Sequence, residues 1–302
     1  MFELKSVKRS LLRCLQIGKK PILVIGNPRS GTSWIGSMLG CAPEALYYQE
    51  PCNPKANGTN DMTIVDRYVR KDMRDLQLSG LLDDAFSGLP SLRMFWAEKR
   101  LRRLWPGYRI VVKEVVTVIS IDWIYNLYKP LLLIVIRHPC DVILSDLDQG
   151  SHSGETLEIL LKQEMLVDDH ISPYLPIINK ANSIFEKMSV IWAIRHRILA
   201  NFLAEHSDAN IIYYEDLCTN PLVRFQTLFN SLSLKWNKNV EQYIVDHTTK
   251  HVPGTYTVSR VTAEQPFKWK KHLTGSQVQT VRSFIRPFEL PFYAADKYWD
   301  VN

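Results

Sequence analysis

The sequence is poor in the features that mark several protein classes. Its five cysteines, Cys14, Cys41, Cys52, Cys140 and Cys218, are widely spaced and include no C-x-x-C pair. That excludes a zinc knuckle or a small disulfide scaffold and fits a reducing compartment. The 13 glycines and 16 prolines of the 302 residues follow no period, which excludes collagen-like and low-complexity architectures. No stretch approaches the roughly 20 apolar residues that a membrane-spanning helix needs. The opening MFELKSVKRSLLRCLQIGKK lacks the uninterrupted apolar core of a secretory signal. The single sequon, Asn57-Gly58-Thr59, therefore reads as chance, and a soluble, cytoplasmic protein is expected.

What is present is a 46% apolar chain with a formal net charge of +6, enough apolar surface for a sizeable core and a balance that invites an anionic partner. The charge is unevenly spread. Residues 1–20, 93–109 and 250–286 carry +5, +5 and +6, whereas residues 141–169 carry −7. Within residues 2–17, Leu4, Val7, Leu11 and Leu15 recur at helical spacing among Lys5, Lys8, Arg9 and Arg13. That predicts a basic amphipathic helix packed on the domain, with peripheral membrane contact as the alternative.

Short apolar runs follow: Pro21 to Gly26, Ile110 to Val112, Leu131 to Ile136 and Ile211 to Tyr214. Runs of this kind read as strands buried on both faces. Between them lie helical patterns over Asp61–Leu82, Thr156–Asp169 and Ile184–Glu205. Strands alternating with helices predict a three-layer α/β/α fold with a central parallel sheet. No internal repeat or linker divides the chain. Residues 21–302 are expected to form one domain, with a helical insertion around 151–205.

The first strand runs into Gly26-Asn27-Pro28-Arg29-Ser30-Gly31-Thr32-Ser33, then the helical turn from Trp34. A strand, a glycine-bounded loop and a helix start present backbone N–H groups to a phosphate. The glycines have the G-x-x-x-x-G spacing of a P-loop, but Thr32 stands where the lysine would be and the cation is Arg29. A second absence is as telling. P-loop kinases and ATPases end a later strand in a magnesium-binding Asp, whereas Leu131–Ile136 ends in Arg137-His138-Pro139. An arginine there binds an anion, so a polyanionic nucleotide held without an obligatory metal is expected. Nucleic acid is not needed to explain the basic charge.

At this point the residues carry a resemblance. Pro28-Arg29-Ser30-Gly31-Thr32-Ser33-Trp34 resembles the 5′-phosphosulfate loop of sulfotransferases that use 3′-phosphoadenylyl sulfate. Arg137-His138-Pro139-Cys140-Asp141-Val142-Ile143-Leu144-Ser145 resembles their 3′-phosphate motif, with its arginine and serine eight positions apart. Tyr214-Glu215-Asp216-Leu217 with Asn220-Pro221, and Trp269-Lys270-Lys271-His272-Leu273-Thr274, are similar to the later landmarks of the family. The resemblance implies a P-loop-like fold and binding of the donor by Arg29, Ser30, Gly31, Thr32, Ser33, Trp34, Arg137 and Ser145. It adds Tyr214 near the adenine, and Arg260, Trp269 and Lys270 from the C-terminal segment.

The resemblance also sorts the chemistry. Lys113 ends the strand Arg109–Val112 where the family commonly has a lysine for the leaving group. The phenol and steroid branch places a histidine base two residues on, and here that position is Val115. Glycan-modifying, protein-tyrosine-modifying and some bacterial members instead have a glutamate, often before proline, just after the phosphate-loop helix. Glu50 in Tyr48-Gln49-Glu50-Pro51 matches it. Glu50 is thus the expected base, with Lys113 and Arg29 stabilising charge, no metal required, and Glu114 the fallback base on the opposite strand face. The expected acceptor is a carbohydrate or glycoconjugate hydroxyl. A P-loop nucleotide kinase and a non-catalytic nucleotide-binding protein are the rivals. His247 and His251 read as solvated, Arg195-His196-Arg197 as a helix surface, and Lys99, Arg100, Arg102 and Arg103 as a solvated basic face.

Overall fold

The computed structural model describes residues 19–58, 61–88, 108–150, 153–249 and 261–300. The N-terminal amphipathic segment through residue 18, the basic cluster at Lys99–Arg103, His251 and Arg260 lie outside the described residues.

Five strands form one sheet: β1 (Ile22–Gly26), β2 (Ala45–Gln49), β3 (Arg109–Glu114), β4 (Leu131–Ile136) and β5 (Asn210–Tyr213), in the order β2-β3-β1-β4-β5. Every pairing is parallel. The apolar runs explain the central strands, because β1 and β3 are buried along their whole length. β2 escapes the sequence reading; Leu46 and Tyr48 are buried but alternate with the half-exposed Tyr47 and exposed Gln49, the pattern of an edge strand.

Helices cover both faces. Strand alternation sends Ile22, Val24, Val111, Leu133 and Val135 to one side, against Trp34, Ile35 and Met38 of α1 (Thr32–Gly40). Leu23, Ile25, Val112, Ile134 and Ile136 point to the other. There they meet α2 (Leu76–Ser87), α3 (Ile121–Tyr128), α4 (Pro139–Leu147) and α5 (Ser153–Leu161), and beyond them α6 (Ile184–Glu205). The chain is therefore the three-layer, P-loop-like α/β/α fold with a central parallel sheet.

Three expectations change. The pattern over Asp61–Leu82 yields only a short turn at Met62–Ile64 and then α2, whose first amides are capped by Asp75. Between them the backbone is held by side chains from elsewhere: Tyr68 N donates to Gln163 Oε1 at 2.7 Å and Val69 N to Ser120 Oγ at 2.9 Å. Tertiary hydrogen bonds outbid local propensity there. The pattern over Thr156–Asp169 breaks after α5 and ends in a π turn, Val167–Ile171. Lastly, α6 forms where expected, but its Arg195 and His196 are 7% and 0% exposed rather than a surface, with His196 stacked on Trp192.

The parallel topology brings the ends of all five strands to one edge. The loop 27–31, Glu50, Arg137 and Tyr214 follow β1, β2, β4 and β5 there, and Lys113 is the last but one residue of β3. β1 lies between β3 and β4, so connections depart to opposite sides of it, which opens a crevice at the carboxyl ends.

Candidate active site

The loop after β1 is forced into shape by its backbone. Ser30 N donates to Asn27 O at 3.1 Å, and Arg29 and Gly31 take φ of +69° and +88°. Gly31 then caps the start of α1, where a Cβ would lie 2.4 Å from two ring atoms of Tyr214. Only glycine fits both the left-handed backbone and the close ring. Tyr214 itself begins the helix α7 (Tyr214–Thr219) rather than ending a strand. Gly31→Ala should destabilise the protein by at least about 1–2 kcal/mol from backbone strain alone. Gly80→Ala in α2, where an added Cβ meets nothing within 4 Å, should raise stability. Thermal unfolding of the two variants checks the opposite signs.

Above Tyr214 the two arginines interlock. Arg137, 5% exposed, lies over the Tyr214 ring at 4.5 Å and its Nη1 donates to Arg29 O at 2.9 Å. Arg29 Nε in turn donates to Ser145 Oγ on α4 at 3.1 Å. Arg137 and Ser145, expected to act together, thus meet through Arg29. Burial works against the Arg137 charge, but Tyr214, Asp141 and Glu215 outweigh it. Ser30 Oγ and Arg137 Nε are among twelve buried side-chain atoms of the described residues that have no hydrogen-bond partner. Unsatisfied buried donors each cost about 1–3 kcal/mol, so oriented donors of this kind fit an anion. Thr32 is buried in the first turn of α1, Ser33 is partly exposed beside it, and buried Trp34 packs edge-on to Tyr214 at 5.7 Å.

The C-terminal segment is fastened to this group. Asp141, buried in the first turn of α4, accepts from Phe267 N at 2.8 Å and Trp269 N at 3.1 Å. Trp269, fully buried, stacks on His138 with centroids 4.9 Å apart. Burial first, then the nearby Arg137 and Lys270, lowers the His138 pKa to about 3, so the ring is neutral. Glu215 accepts from His138 N at 3.0 Å and Tyr293 OH at 2.6 Å. Lys270 is partly exposed over the Trp269 ring at 5.7 Å. Trp34 and Trp269 are thus both buried, packed against the rings of Tyr214 and His138. Sequence reasoning gave Asp141 and Glu215 no role of their own; a carboxylate inside an apolar helix start was their only signal.

On the other side of β1, Lys113 is 2% exposed and ion-paired with Glu50 Oε1. Glu50 follows β2 with φ of +49°, its N–H donating to Lys113 O at 2.7 Å and its Oε2 accepting from Asn53 at 2.5 Å. Burial raises the Glu50 pKa, but Lys113, Asn53 and Arg29 outweigh it and the net shift is downward. Glu50 is thus a carboxylate at neutral pH, within the field of both cations. Glu114 points to the opposite face as expected, is 0% exposed and accepts from the N–H groups of Cys52, Val115 and Val116 at 2.8–3.0 Å. Burial raises its pKa. It braces the turns after β2 and β3.

No protein-family model matches the chain, and no curated protein matches it. Its solved counterparts include sulfotransferases. The sulfotransferase domain from the curacin biosynthetic pathway is 15% identical, with 94% of this chain and 96% of that chain covered and a TM-score of 0.45. The sulfotransferase domain from the Synechococcus PCC 7002 olefin synthase is 12% identical, covering 89% and 96%, with a TM-score of 0.46. Mouse sulfotransferase SULT7A1 complexed with PAP is 11% identical, covering 96% and 91%, with a TM-score of 0.43.

Among the described residues, the group of three side chains close enough to share a metal ion is Asp122, Glu205 and His206, none of them in the candidate site. No helix among the described residues is long and apolar enough to cross a membrane. His247, half-buried, has its Nδ1 2.7 Å from Tyr243 O and stacks on that ring rather than standing free.

Proposed function

We propose that this chain is a sulfotransferase that moves a sulfuryl group from 3′-phosphoadenylyl sulfate to an acceptor hydroxyl. The observation that carries the reading is the side-by-side placement of two devices at one sheet edge. One is the Arg29, Ser30, Arg137 and Ser145 cluster with its unsatisfied buried donors. The other is the Glu50–Lys113 pair. The first suits a nucleotide phosphorylated at both 3′ and 5′ positions; the second suits proton removal beside a site of developing negative charge.

The donor supplies the sulfuryl group and departs as adenosine 3′,5′-bisphosphate. Arg137 and Ser145 hold the 3′-phosphate, and the loop N–H groups, Ser30, Thr32 and Ser33 hold the 5′ end. Lys270, and Arg260 by resemblance, add cations on the 3′ side. Glu50 takes the proton of the attacking hydroxyl. Lys113 and Arg29 neutralise charge on the sulfuryl oxygens and on the departing phosphate. Fixed cations do here what a metal ion does in P-loop kinases.

The finer reading is an acceptor hydroxyl on a carbohydrate or glycoconjugate, supported by the glutamate before Pro51 and by Val115 where a histidine base would sit. The test is incorporation of labelled sulfate from the donor into a panel of sugars, alcohols and tyrosyl peptides. Transfer to sugars is expected. Tight magnesium-ATP binding with no bisphosphate binding would overturn the assignment in favour of a kinase.

A further inference from the structure

The phosphate loop is tied to the helical segment 151–205 by one buried side chain. Arg195, 7% exposed in the middle of α6, uses Nε and Nη2 for the two oxygens of Asp66, at 3.2 and 2.6 Å. Its remaining nitrogen, Nη1, donates to Asn27 Oδ1 at 3.1 Å. Asn27 is the first residue of the loop, and its Nδ2 donates to Pro28 O at 2.6 Å. The chain of contacts thus runs from α6 through Asn27 into the peptide that precedes Arg29.

Asp66 is itself heavily constrained. It is 4% exposed with φ of +49°; its N–H donates to Val116 O at 3.0 Å, and its carbonyl accepts from Gln163 at 2.7 Å. Val116 lies in the turn after Lys113 and Glu114. A bidentate guanidinium–carboxylate pair is directional, so Arg195 has little freedom to turn its third nitrogen elsewhere. A buried, strained aspartate persists only where its surroundings over-determine it.

We propose that Arg195, oriented by Asp66, is a positioning residue that holds Asn27 and thereby fixes the loop through its left-handed residues Arg29 and Gly31. Anion donors must be held to within about 0.5 Å to be useful, and a loop cannot supply that precision alone. In this protein the precision comes from α6. The effect on nucleotide binding rests on the sulfotransferase reading; the effect on loop order does not.

Asn27→Ala is the sharpest probe, because it leaves the Arg195–Asp66 pair intact and cuts only the link to the loop. Amide hydrogen exchange, read by mass spectrometry on peptides spanning residues 27–34, should speed up about tenfold, as expected when about 1.4 kcal/mol of local order is lost. Exchange in α6 should stay near wild type, and the thermal midpoint should fall by no more than a few degrees. Asn27→Asp keeps the acceptor for Arg195 but loses the Nδ2 donor to Pro28 O, so it should restore slow exchange only in part. Unchanged exchange in residues 27–34 of Asn27→Ala, or acceleration spread evenly over the whole chain in both variants, overturns the proposal. In parallel, calorimetry with adenosine 3′,5′-bisphosphate should show about tenfold weaker binding for Asn27→Ala. A wild type that binds no bisphosphate defeats the functional reading, while the exchange arm still decides whether Arg195 positions the loop.

Discussion

Replacing Arg137 by alanine is expected to weaken binding of adenosine 3′,5′-bisphosphate about 100-fold, or about 2.7 kcal/mol. A charge-assisted hydrogen bond is worth about 1.5–3 kcal/mol, and this one is formed in a buried site. Arg137 is 5% exposed, held over Tyr214, and has Nε unsatisfied. The same substitution removes the donor to Arg29 O, so part of the loss is transmitted to the 5′ end. Arg137→Lys separates the two contributions: it keeps a positive charge but loses the planar fork, and should recover only part of the affinity. Calorimetry with the bisphosphate and with magnesium-ATP measures both. ATP binding that equals or exceeds bisphosphate binding, and ignores the substitution, would rule out a 3′-phosphate site at Arg137.

The second large effect is on turnover. Glu50→Gln is nearly isosteric and keeps the contact with Asn53, but cannot accept a proton. Sulfuryl transfer should fall by about 10²–10⁴-fold, the usual contribution of a general base, with bisphosphate binding retained. Lys113→Ala should also lower turnover, while removing the partner that holds Glu50 ionised. The pH dependence follows from the direction of the Glu50 shift. Its folded pKa lies below the unfolded value of about 4.3. The Glu50–Lys113 pair therefore stabilises the protein above that value and loses its contribution as pH falls through the folded pKa. The stability difference between wild type and Glu50→Gln, followed by denaturant unfolding, should be constant from pH 5 to 7 and shrink below about pH 4. Retained full turnover in Glu50→Gln would remove it as the base. Glu114 offers no easy substitute, since three backbone N–H groups occupy its carboxylate.

Placement of the chemistry at one sheet edge is legible from the chain because parallel strands put every strand-to-helix junction on the same side. Buried runs such as Leu131–Ile136 announce their strands, and Arg137 follows directly. The glycine-bounded loop announces its own left-handed turn. What misleads is local periodicity where polar tertiary contacts dominate. The helical spacing over Asp61–Leu82 gives way between residues 65 and 75 because Gln163, Ser120 and Arg195 satisfy that backbone and Asp66. Arg195-His196-Arg197 looks like a charged helix surface because sequence shows charge but not its partner, and the partner of Arg195 lies 129 positions away.

Among the described residues, Cys52 and Cys140 are buried free thiols. Legible along the chain are the strand–loop–helix unit at 22–40, the arginine after β4 and the alternation that separates Lys113 from Glu114. These depend only on local geometry, on glycine where φ is positive and on the two-residue period of a strand. The folded chain adds that Arg29 joins Arg137 to Ser145, that Lys113 pairs with Glu50, that Asp141 secures Trp269, and that α6 reaches Asn27. Each of those is a contact between segments distant in sequence, and its geometry is set by how the layers pack.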